Sequence, residues 1–378
     1  MRMFGQMRWP RARWATLGAA ASAVVVLGVG GTPAAAAGWT VVTVPQTGIS
    51  TVLNGAFART GTDVWAVGRQ YGPSGRPAPP PVAYHWNGSG WSLFTMPALT
   101  AAASLAAVSA SSATDAWAVG WTGGYTHVAL TEHWNGSAWS RVTGPGSSAK
   151  FFALRGVADL SPASAYAIGS DPGVAYHWDG TAWRTVTLPD AGFAASGITA
   201  VSATDIWLTG STSAGATAEA VNFNGTAWTV VPMQQPTANK PILNGVTAVA
   251  ANDIWAVGYL LSPAGAAVGT LTEHWNGSAW SIVPSPTPAG TFPQLNAVAA
   301  RGSGDVYAVG SALLSGATGA SEALILRWNG TAWSQDTVPT GATPEVRLAA
   351  AAAPGAAQEW AAGYDGSGPD QALVLSYS

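Results

Sequence analysis

Short apolar stretches of four to eight residues, separated by clusters of Gly, Asn, Asp, Ser and Thr, follow one another from about residue 38 to the end of the chain. Stretches of this length between turn residues are typical of β-strands. TLTEHW (270–275) and AWSIVP (279–284) are joined through Asn-Gly, which predicts a hairpin with a type I′ turn. Long helices are not expected, because Glu, Lys and Gln are scarce while Gly and Pro are frequent.

Two Trp-rich motifs recur along this strand pattern, and the nonapeptide EHWNGSAWS occurs unchanged at 132–140 and at 273–281. The first motif, D-x-W-A-V-G with weaker variants, begins at Asp63, Asp115, Ser164, Asp205, Asp253, Asp305 and Gln358. The second motif, H-W-N-G-x-x-W, ends at Trp91, Trp139, Trp183, Trp228, Trp280 and Trp333. Successive copies of the first motif lie 41 to 53 residues apart, a period typical of solenoids and propellers.

Each period divides into four short antiparallel strands, which is the composition of a propeller blade. The last period, ending in ALVLSYS, has no fourth strand, whereas GWTVVTVP (38–45) resembles the fourth strands of other periods. We therefore predict an all-β, seven-bladed propeller in which 39–45 pairs with 371–377 and closes the ring, hiding the sheet edges of an open array.

The two motifs carry a family resemblance that covers essentially all of 38–378. The sequence resembles secreted bacterial propeller-repeat proteins with a D-x-W-A-V-G … H-W-N-G-x-x-W unit, and it is similar to tectonin-type repeats. Kelch and Asp-box propellers are more distant, because the Gly-Gly pair of the former and the S-x-D-x-G-x-x-W motif of the latter are absent. The resemblance implies the propeller fold and supports no particular activity.

The first 37 residues differ from the rest of the chain. Four Arg precede an uncharged stretch, ATLGAAASAVVVLGVGG, and Ala35 and Ala37 then give an A-x-A pattern before Gly38. These are the three parts of a secretory signal peptide, and a membrane anchor is the alternative. We predict a signal peptide at 1–37, a single propeller domain at 38–378, and a secreted, extracellular or cell-wall-associated protein with no membrane span after cleavage.

The net charge of residues 38–378 limits the kinds of partner that the protein is expected to bind. Eleven Lys and Arg face 18 Asp and Glu, a net charge of −7, and basic clusters are missing from the sequence. This balance argues against a nucleic-acid partner. With no Cys, the exported chain has no disulfides and depends on packing. We expect a monomer that uses no cofactor and binds an extracellular glycan or protein.

The repeat also separates two ends of the predicted blades. The spacing within the first-to-second and third-to-fourth strand turns is constant, whereas the gap between the Gly of the first motif and the hairpin aromatic varies from 9 to 18 residues. Variable loops on a rigid scaffold commonly carry function. We call the end with these loops the variable-loop face and predict the binding site there.

The candidate ligand-binding residues stand just after the WAVG motifs. Aromatic side chains beside polar ones suit a sugar ring or a peptide, although such aromatics can also simply cover the bases of loops. The loop WTGGYTHVAL (121–130) has the richest mixture. The candidates are Trp121, Tyr125, His127, Arg69, Tyr71, Tyr259 and Tyr364.

Two other sets of residues suggest chemistry but are interpreted as structural. Four His precede the hairpin Trp (His85, His133, His177 and His274), and equivalent places in separate blades cannot converge on one metal ion. The Asp of the first motif is expected to bind nearby backbone N–H groups. The sequence therefore favours a non-catalytic binding propeller over an extracellular interaction or structural propeller, with a carbohydrate-active hydrolase or lyase as a more distant alternative.

Overall fold

The structure is a computed structural model that describes residues 38–72, 79–147, 149–212, 217–315, 320–339, 346–353, 358–366 and 370–377. These residues form seven four-stranded antiparallel sheets arranged as a seven-bladed β-propeller, as predicted. The predicted signal peptide at 1–37 lies outside the described residues. In the part of the chain that is described, no helix has the length and apolar character needed to cross a membrane.

The first four blades follow the repeat. The chain begins with β1 (Trp39–Val42), which belongs to the last blade. Blade 1 is β2 (Ser50–Thr60), β3 (Asp63–Tyr71), β4 (Val82–Trp86) and β5 (Trp91–Phe94); blade 2 is β6 (Ala103–Ser112), β7 (Asp115–Gly123), β8 (His127–Trp134) and β9 (Trp139–Val142). Blade 3 is β10 (Leu154–Ser161), β11 (Ser164–Gly169), β12 (Val174–Trp178) and β13 (Trp183–Thr187); blade 4 is β14 (Phe193–Ser202), β15 (Asp205–Thr212), β16 (Ala218–Phe223) and β17 (Trp228–Pro232).

The remaining blades repeat the same order. Blade 5 is β18 (Lys240–Ala250), β19 (Asp253–Leu261), β20 (Ala267–Trp275) and β21 (Trp280–Ile282); blade 6 is β22 (Thr291–Gly302), β23 (Asp305–Leu314), β24 (Ser321–Trp328) and β25 (Trp333–Gln335). Blade 7 is β26 (Val346–Ala352), β27 (Glu359–Asp365), β28 (Gln371–Tyr377) and the N-terminal β1. The first strand of every blade lines a central channel of about 660 Å³, whose walls are mostly Ala, Gly, Val and Ser.

Ring closure occurs as the sequence predicted. In blade 7, β1 pairs antiparallel with β28, with Trp39 opposite Tyr377 and Val42 opposite Val374. Trp39 is buried, and its ring lies edge-on to Tyr307 of blade 6, with centroids 5.4 Å apart. The N-terminal strand thus supplies both the missing backbone partner and the missing fourth-strand Trp.

The repeated aromatics meet between blades, which explains why the two motifs recur. The Trp of the first motif in one blade packs against both hairpin Trp residues of the next blade, as Trp65 does with Trp134 and Trp139 at centroid distances of 5.3 and 5.1 Å. The same cluster joins Trp117, Trp207, Trp255 and Trp360 to the hairpin pairs of the following blades. We call these clusters the aromatic junctions. Large buried rings in edge-to-face contact make them the main apolar connection between blades.

The hairpin between the third and fourth strands differs from the predicted type I′ turn. In blade 2 the strands separate at Trp134 and Trp139, so that four residues, 135–138, form the connection rather than two. The Asn135 Oδ1 accepts hydrogen bonds from the backbone N–H of Ser137 and Ala138, each at 3.0 Å. The side chain of Asn organises the longer turn, while Gly136 supplies the residue with φ +90°. The motif therefore predicted a hairpin correctly but its turn type wrongly.

The Gly of the first motif is required by a close approach of backbone. A Cβ built on Gly120 would lie 1.9 Å from the carbonyl oxygen of Ser104 on the neighbouring strand β6. Gly68, Gly258, Gly310 and Gly363 meet equivalent carbonyls at 1.8–1.9 Å. This Gly stands where the second strand leaves the core, directly before the candidate site residues.

Candidate ligand-binding site

Four of the seven predicted site residues lie in one continuous row on the variable-loop face of blades 1 and 2. The guanidinium carbon of Arg69 lies 4.0 Å from the Tyr71 ring centroid and 5.4 Å from that of Trp121. The Trp121 and His127 rings are stacked, with centroids 4.0 Å apart and planes inclined by 13°. Two neighbouring blades thus converge, because Arg69 near the end of β3 reaches across to Trp121 on β7 of blade 2.

The row continues into blade 3 through Phe151, which is not among the candidates predicted from the sequence. Its ring lies edge-on to His127 at 5.7 Å. The backbone fixes this contact, since the His127 N–H donates to the Lys150 carbonyl (2.9 Å) and the Phe152 N–H donates to the His127 carbonyl (3.2 Å). We call Tyr71, Arg69, Trp121, His127 and Phe151 the loop-face strip.

The sequence contained a weak signal for Phe151. The linker KFFAL places two Phe side by side before β10, and neighbouring residues of an extended chain point in opposite directions. Phe152 is buried beneath the linker, whereas 63% of the Phe151 surface is exposed. An extended segment that buries one Phe presents the other, so the sequence indicates one exposed Phe in this linker, and the structure shows that it is Phe151.

Exposure divides the strip into supporting and accessible side chains. Trp121 and His127 are half-buried against each other and Arg69. Tyr71 and Phe151 are 43% and 63% exposed, and Tyr125, in the loop between Trp121 and His127, is 99% exposed. The accessible apolar surface for a ligand is therefore provided by Tyr125, Phe151 and Tyr71, while Trp121 supports its neighbours.

Two further predicted residues lie on other blades. Tyr259 lies in blade 5, opposite Ile242 in the sheet, and Tyr364 lies in blade 7, opposite Arg347. Both occupy the same position after WAVG that Arg69 and Trp121 occupy in their blades, and both are half-buried. Burial raises the pKa of Tyr259. The shared position in the repeat places both Tyr on the variable-loop face, Tyr259 in blade 5 and Tyr364 in blade 7, which adjoins blade 1 in the closed ring.

The four motif His residues serve separate blades, as the sequence analysis interpreted them. His85, His133 and His274 each place Nε2 at 2.7–2.9 Å from the Asp Oδ1 of the first motif in the same blade. The corresponding Asn222 and Arg327 bind Asp205 and Asp305 in the same way. The expectation that these Asp bind backbone N–H groups is wrong, because the residue before the hairpin Trp supplies a side-chain donor instead.

A pair of carboxyl groups between blades 2 and 3 was not anticipated. Asp159 replaces the Ala found at this position of β2, β6, β14, β18 and β22, and it lines the central channel while being only 9% exposed. It accepts the Ser111 N–H at 2.9 Å. Burial, followed by the Asp115 carboxylate, raises the pKa of Asp159 to about 8. The raised pKa favours a protonated Asp159 at neutral pH.

This carboxyl pair has the wrong arrangement for nucleophilic catalysis. The Ser111 hydroxyl donates to Asp115, and His133 contacts the other oxygen of the same carboxylate. The Ser and His therefore do not contact each other, and His133 is not placed to take the Ser proton. Among the described residues, no three His, Asp or Glu side chains converge as ligands for a metal ion.

Comparison with known proteins shows that several solved structures share the fold of this chain. No protein-family model matches the sequence, and no curated protein matches it. The solved structure of YCF48 bound to D1 peptide aligns over 90% of this chain and 94% of its own, with 16% identity and a TM-score of 0.57. A catalytically inactive virginiamycin B lyase from Staphylococcus aureus with quinupristin aligns over 89% and 99%, with 14% identity and a TM-score of 0.60.

An enzyme of another class has the same architecture. The GH74 xyloglucanase from Xanthomonas campestris aligns over 86% of this chain and 53% of its own, with 16% identity and a TM-score of 0.55. A peptide-bound protein, a lyase and a glycosidase are thus similarly distant from this chain. At such identities the likeness establishes the propeller fold alone.

Proposed function

We propose that this protein is an exported, non-catalytic, tectonin-like propeller that binds an extracellular or cell-wall carbohydrate through the loop-face strip. The observation that carries the proposal is the convergence of Tyr71, Arg69, Trp121, His127 and Phe151, from three blades, beside the fully exposed Tyr125. The signal-peptide pattern of residues 1–37 supports export.

The physical reason is the combination of exposed rings and fixed polar groups. Sugar rings present flat C–H surfaces that pack on aromatic faces, and their hydroxyls need hydrogen-bonding groups at the side. Tyr125 and Phe151 offer apolar surface, while Arg69 and His127 are held by ring contacts next to them. A site held in this way loses little side-chain entropy on binding.

A protein ligand is the second candidate. Tyr125 and Phe151 are large apolar side chains that project from the surface, and exposed aromatics are frequent anchors of protein interfaces. A carbohydrate-active hydrolase or lyase is a more distant alternative. The carboxyl pair of Asp115 and Asp159 is nearly buried, whereas a glycosidase needs two carboxyl groups accessible on either side of a sugar bond.

An array of extracellular and cell-wall glycans, applied to the purified full chain, tests the proposal. Tyr125→Ala and Phe151→Ala should each weaken binding by about tenfold, which corresponds to the loss of one aromatic contact. Phe292→Ala is the matched control, because Phe292 is 40% exposed on blade 6, away from the strip. Glycan binding that is unaffected by both Tyr125→Ala and Phe151→Ala, or a failure to bind any glycan, would refute the proposal.

A further inference from the structure

We propose that the strip selects an acidic carbohydrate, one whose sugar rings carry carboxylate groups. This inference rests on the proposed function and specifies its ligand. It is carried by the charges around the strip, whereas the proposal of carbohydrate binding rests on its aromatic rings. The two can therefore fail separately.

Three cations on the variable-loop face of blades 1 to 3 are without an ion pair among the described residues. They are Arg69 in the strip, Lys150 beside Phe151, and Arg155 at the start of β10. Elsewhere in the chain Arg59, Arg184, Arg301 and Arg327 each contact a carboxylate, while Arg141 on β9 and Lys240 at the start of β18 stand singly without an ion pair among the described residues. On a chain with a net charge of −7 after residue 37, unpaired cations gathered in one sector form a local site for an anion.

Arg69 is the best placed of the three to bind a carboxylate. Its guanidinium is packed against Tyr71 and Trp121, and its Nε is buried without a hydrogen-bonding partner among the described residues. A guanidinium held by aromatic rings loses little side-chain freedom when it binds, and its planar fork matches the two oxygens of a carboxylate. Neighbouring aromatic surface from Tyr71 and Tyr125 would meet the sugar ring that carries the carboxylate.

The carboxylates of this sector leave the cations free for a ligand. Asp171 accepts a hydrogen bond from the Tyr176 hydroxyl at 3.1 Å. Asp190, in the linker to blade 4, accepts the N–H of Gly192 at 2.6 Å. Both carboxylates already accept hydrogen bonds, and Asp190 also lies beside Glu219 of blade 4. Lys150 is exposed on the linker that also presents Phe151, and Arg155 is exposed at the start of β10, where it lines the central channel.

The backbone of the strip favours a carbohydrate over an acidic peptide. An extended peptide commonly binds by adding a strand to a free sheet edge. At the strip the N–H and C=O of His127 are already paired with Lys150 and Phe152, and the N–H of Gly123 is paired with Ala102. A ligand must therefore be recognised by side chains, which suits a chain of sugar rings.

The test compares each acidic polysaccharide with its own carboxyl-reduced, neutral form. Polygalacturonate, alginate and hyaluronan are titrated against the purified full chain by calorimetry. We expect at least one acidic polymer to bind about tenfold or more tightly than its neutral form, and to bind less tightly as NaCl is raised. Arg69→Gln should weaken that binding about tenfold. Arg184→Gln is the control, since Arg184 is an exposed arginine at the opposite end of blade 3.

Each result decides between the two proposals. Equal affinity for the acidic and neutral forms, or an Arg69→Gln variant that binds like Arg184→Gln, would overturn the acidic specificity and leave carbohydrate binding intact. Binding to neutral glycans alone would do the same. Poly-glutamate that binds as tightly as the acidic polysaccharides would indicate an acidic protein as the partner. No binding to any glycan would overturn the proposed function itself.

Discussion

The two ends of the propeller are built from the same seven repeats but follow different rules. At the end with the constant turns, each blade contributes equivalent residues, and a hairpin Trp Nε1 donates to the adjacent turn carbonyl at 3.1–3.2 Å in five blades. At the variable-loop face, aromatic and basic side chains of blades 1 to 3 contact one another in a single strip. Residues that recur in the blades thus build the scaffold, whereas residues that differ between blades form the candidate site.

The blades also differ from one another in the charged residues that they bury. At the position two residues before the hairpin Trp, blades 4, 6 and 7 have Val221, Leu326 and Leu375, whereas blades 2 and 5 have the fully buried Glu132 and Glu273. Neither carboxyl has a hydrogen-bonding partner of standard geometry among the described residues. A residue inside the scaffold that differs from its equivalents in the other blades should therefore lower stability, whereas such a residue at the variable-loop face should contribute to ligand binding.

Opening the ring gives the largest expected effect. Deleting 38–45 removes β1, exposes the edge of β28 and takes Trp39 out of its contact with Tyr307. We expect the protein to lose more than about 5 kcal/mol of unfolding free energy or to become insoluble. A chain that lacks 1–37 but keeps β1 is the control. Thermal melting of the shorter chain at the temperature of this control would contradict the importance of closure.

Cutting one aromatic junction should have the next largest effect. Trp280 is 5% exposed and lies 5.8 Å from the Trp207 ring of blade 4. Trp280→Ala should lower the free energy of unfolding by roughly 3–5 kcal/mol, as measured by urea denaturation. A loss below about 1 kcal/mol would show that the junctions contribute little, and Phe292→Ala provides the reference for an exposed aromatic.

Replacing the buried Glu273 with the apolar residue that blade 6 has at the equivalent position should stabilise the scaffold. Burial raises the pKa of Glu273 to about 8, although the Gln234 backbone amide partly offsets the shift. The native state therefore keeps the proton up to about pH 8, whereas the unfolded chain releases it near 4.5, so stability falls as pH rises through this window. Glu273→Leu, which copies Leu326, should raise the free energy of unfolding at pH 8 by roughly 2–4 kcal/mol.

The pH dependence of that variant provides its check. Unfolding in urea at pH 5 and pH 8 should show a smaller gain in stability at pH 5. Near pH 5 the unfolded parent also keeps part of this proton, so the buried protonated carboxyl lowers the stability of the folded parent less than it does at pH 8. Buried Asp159 and Glu132, whose pKa values are raised by burial to about 8 and about 7, keep a slope of the same sign in both proteins. An equal gain at the two pH values would show that packing, and not ionisation, is responsible.

Changes in the strip should have the smallest effect on stability. Trp121→Ala removes a half-buried ring that contacts Arg69 and His127, and we expect a loss of about 1–2 kcal/mol. Tyr125→Ala, at a fully exposed side chain, should change stability by less than about 0.5 kcal/mol. Melting temperatures of the two variants beside the parent test this order. A larger loss for Tyr125→Ala than for Trp121→Ala would reverse the assignment of supporting and accessible residues.

The fold could be predicted because its determinants are periodic. Strand length, the spacing of the two Trp motifs and the similarity of GWTVVTVP to other fourth strands are local features, and repetition made each of them visible seven times. The sequence also shows that Asn222 and Arg327 occupy the position that His85 has in blade 1, but it does not show that each of the three binds an Asp. The Asp to which each binds is brought opposite by strand pairing, which sequence spacing alone does not specify.

The candidate site was only partly predictable, because it is formed across blades. The sequence alone placed Arg69, Tyr71, Trp121 and His127 on one face and identified their loop positions, since both follow from distance along a repeat. Only the tertiary structure brought Arg69 of blade 1 over Trp121 of blade 2 and Phe151 against His127. Periodicity fixes the position within a blade, whereas contacts between loops of different blades depend on how each irregular loop crosses the surface.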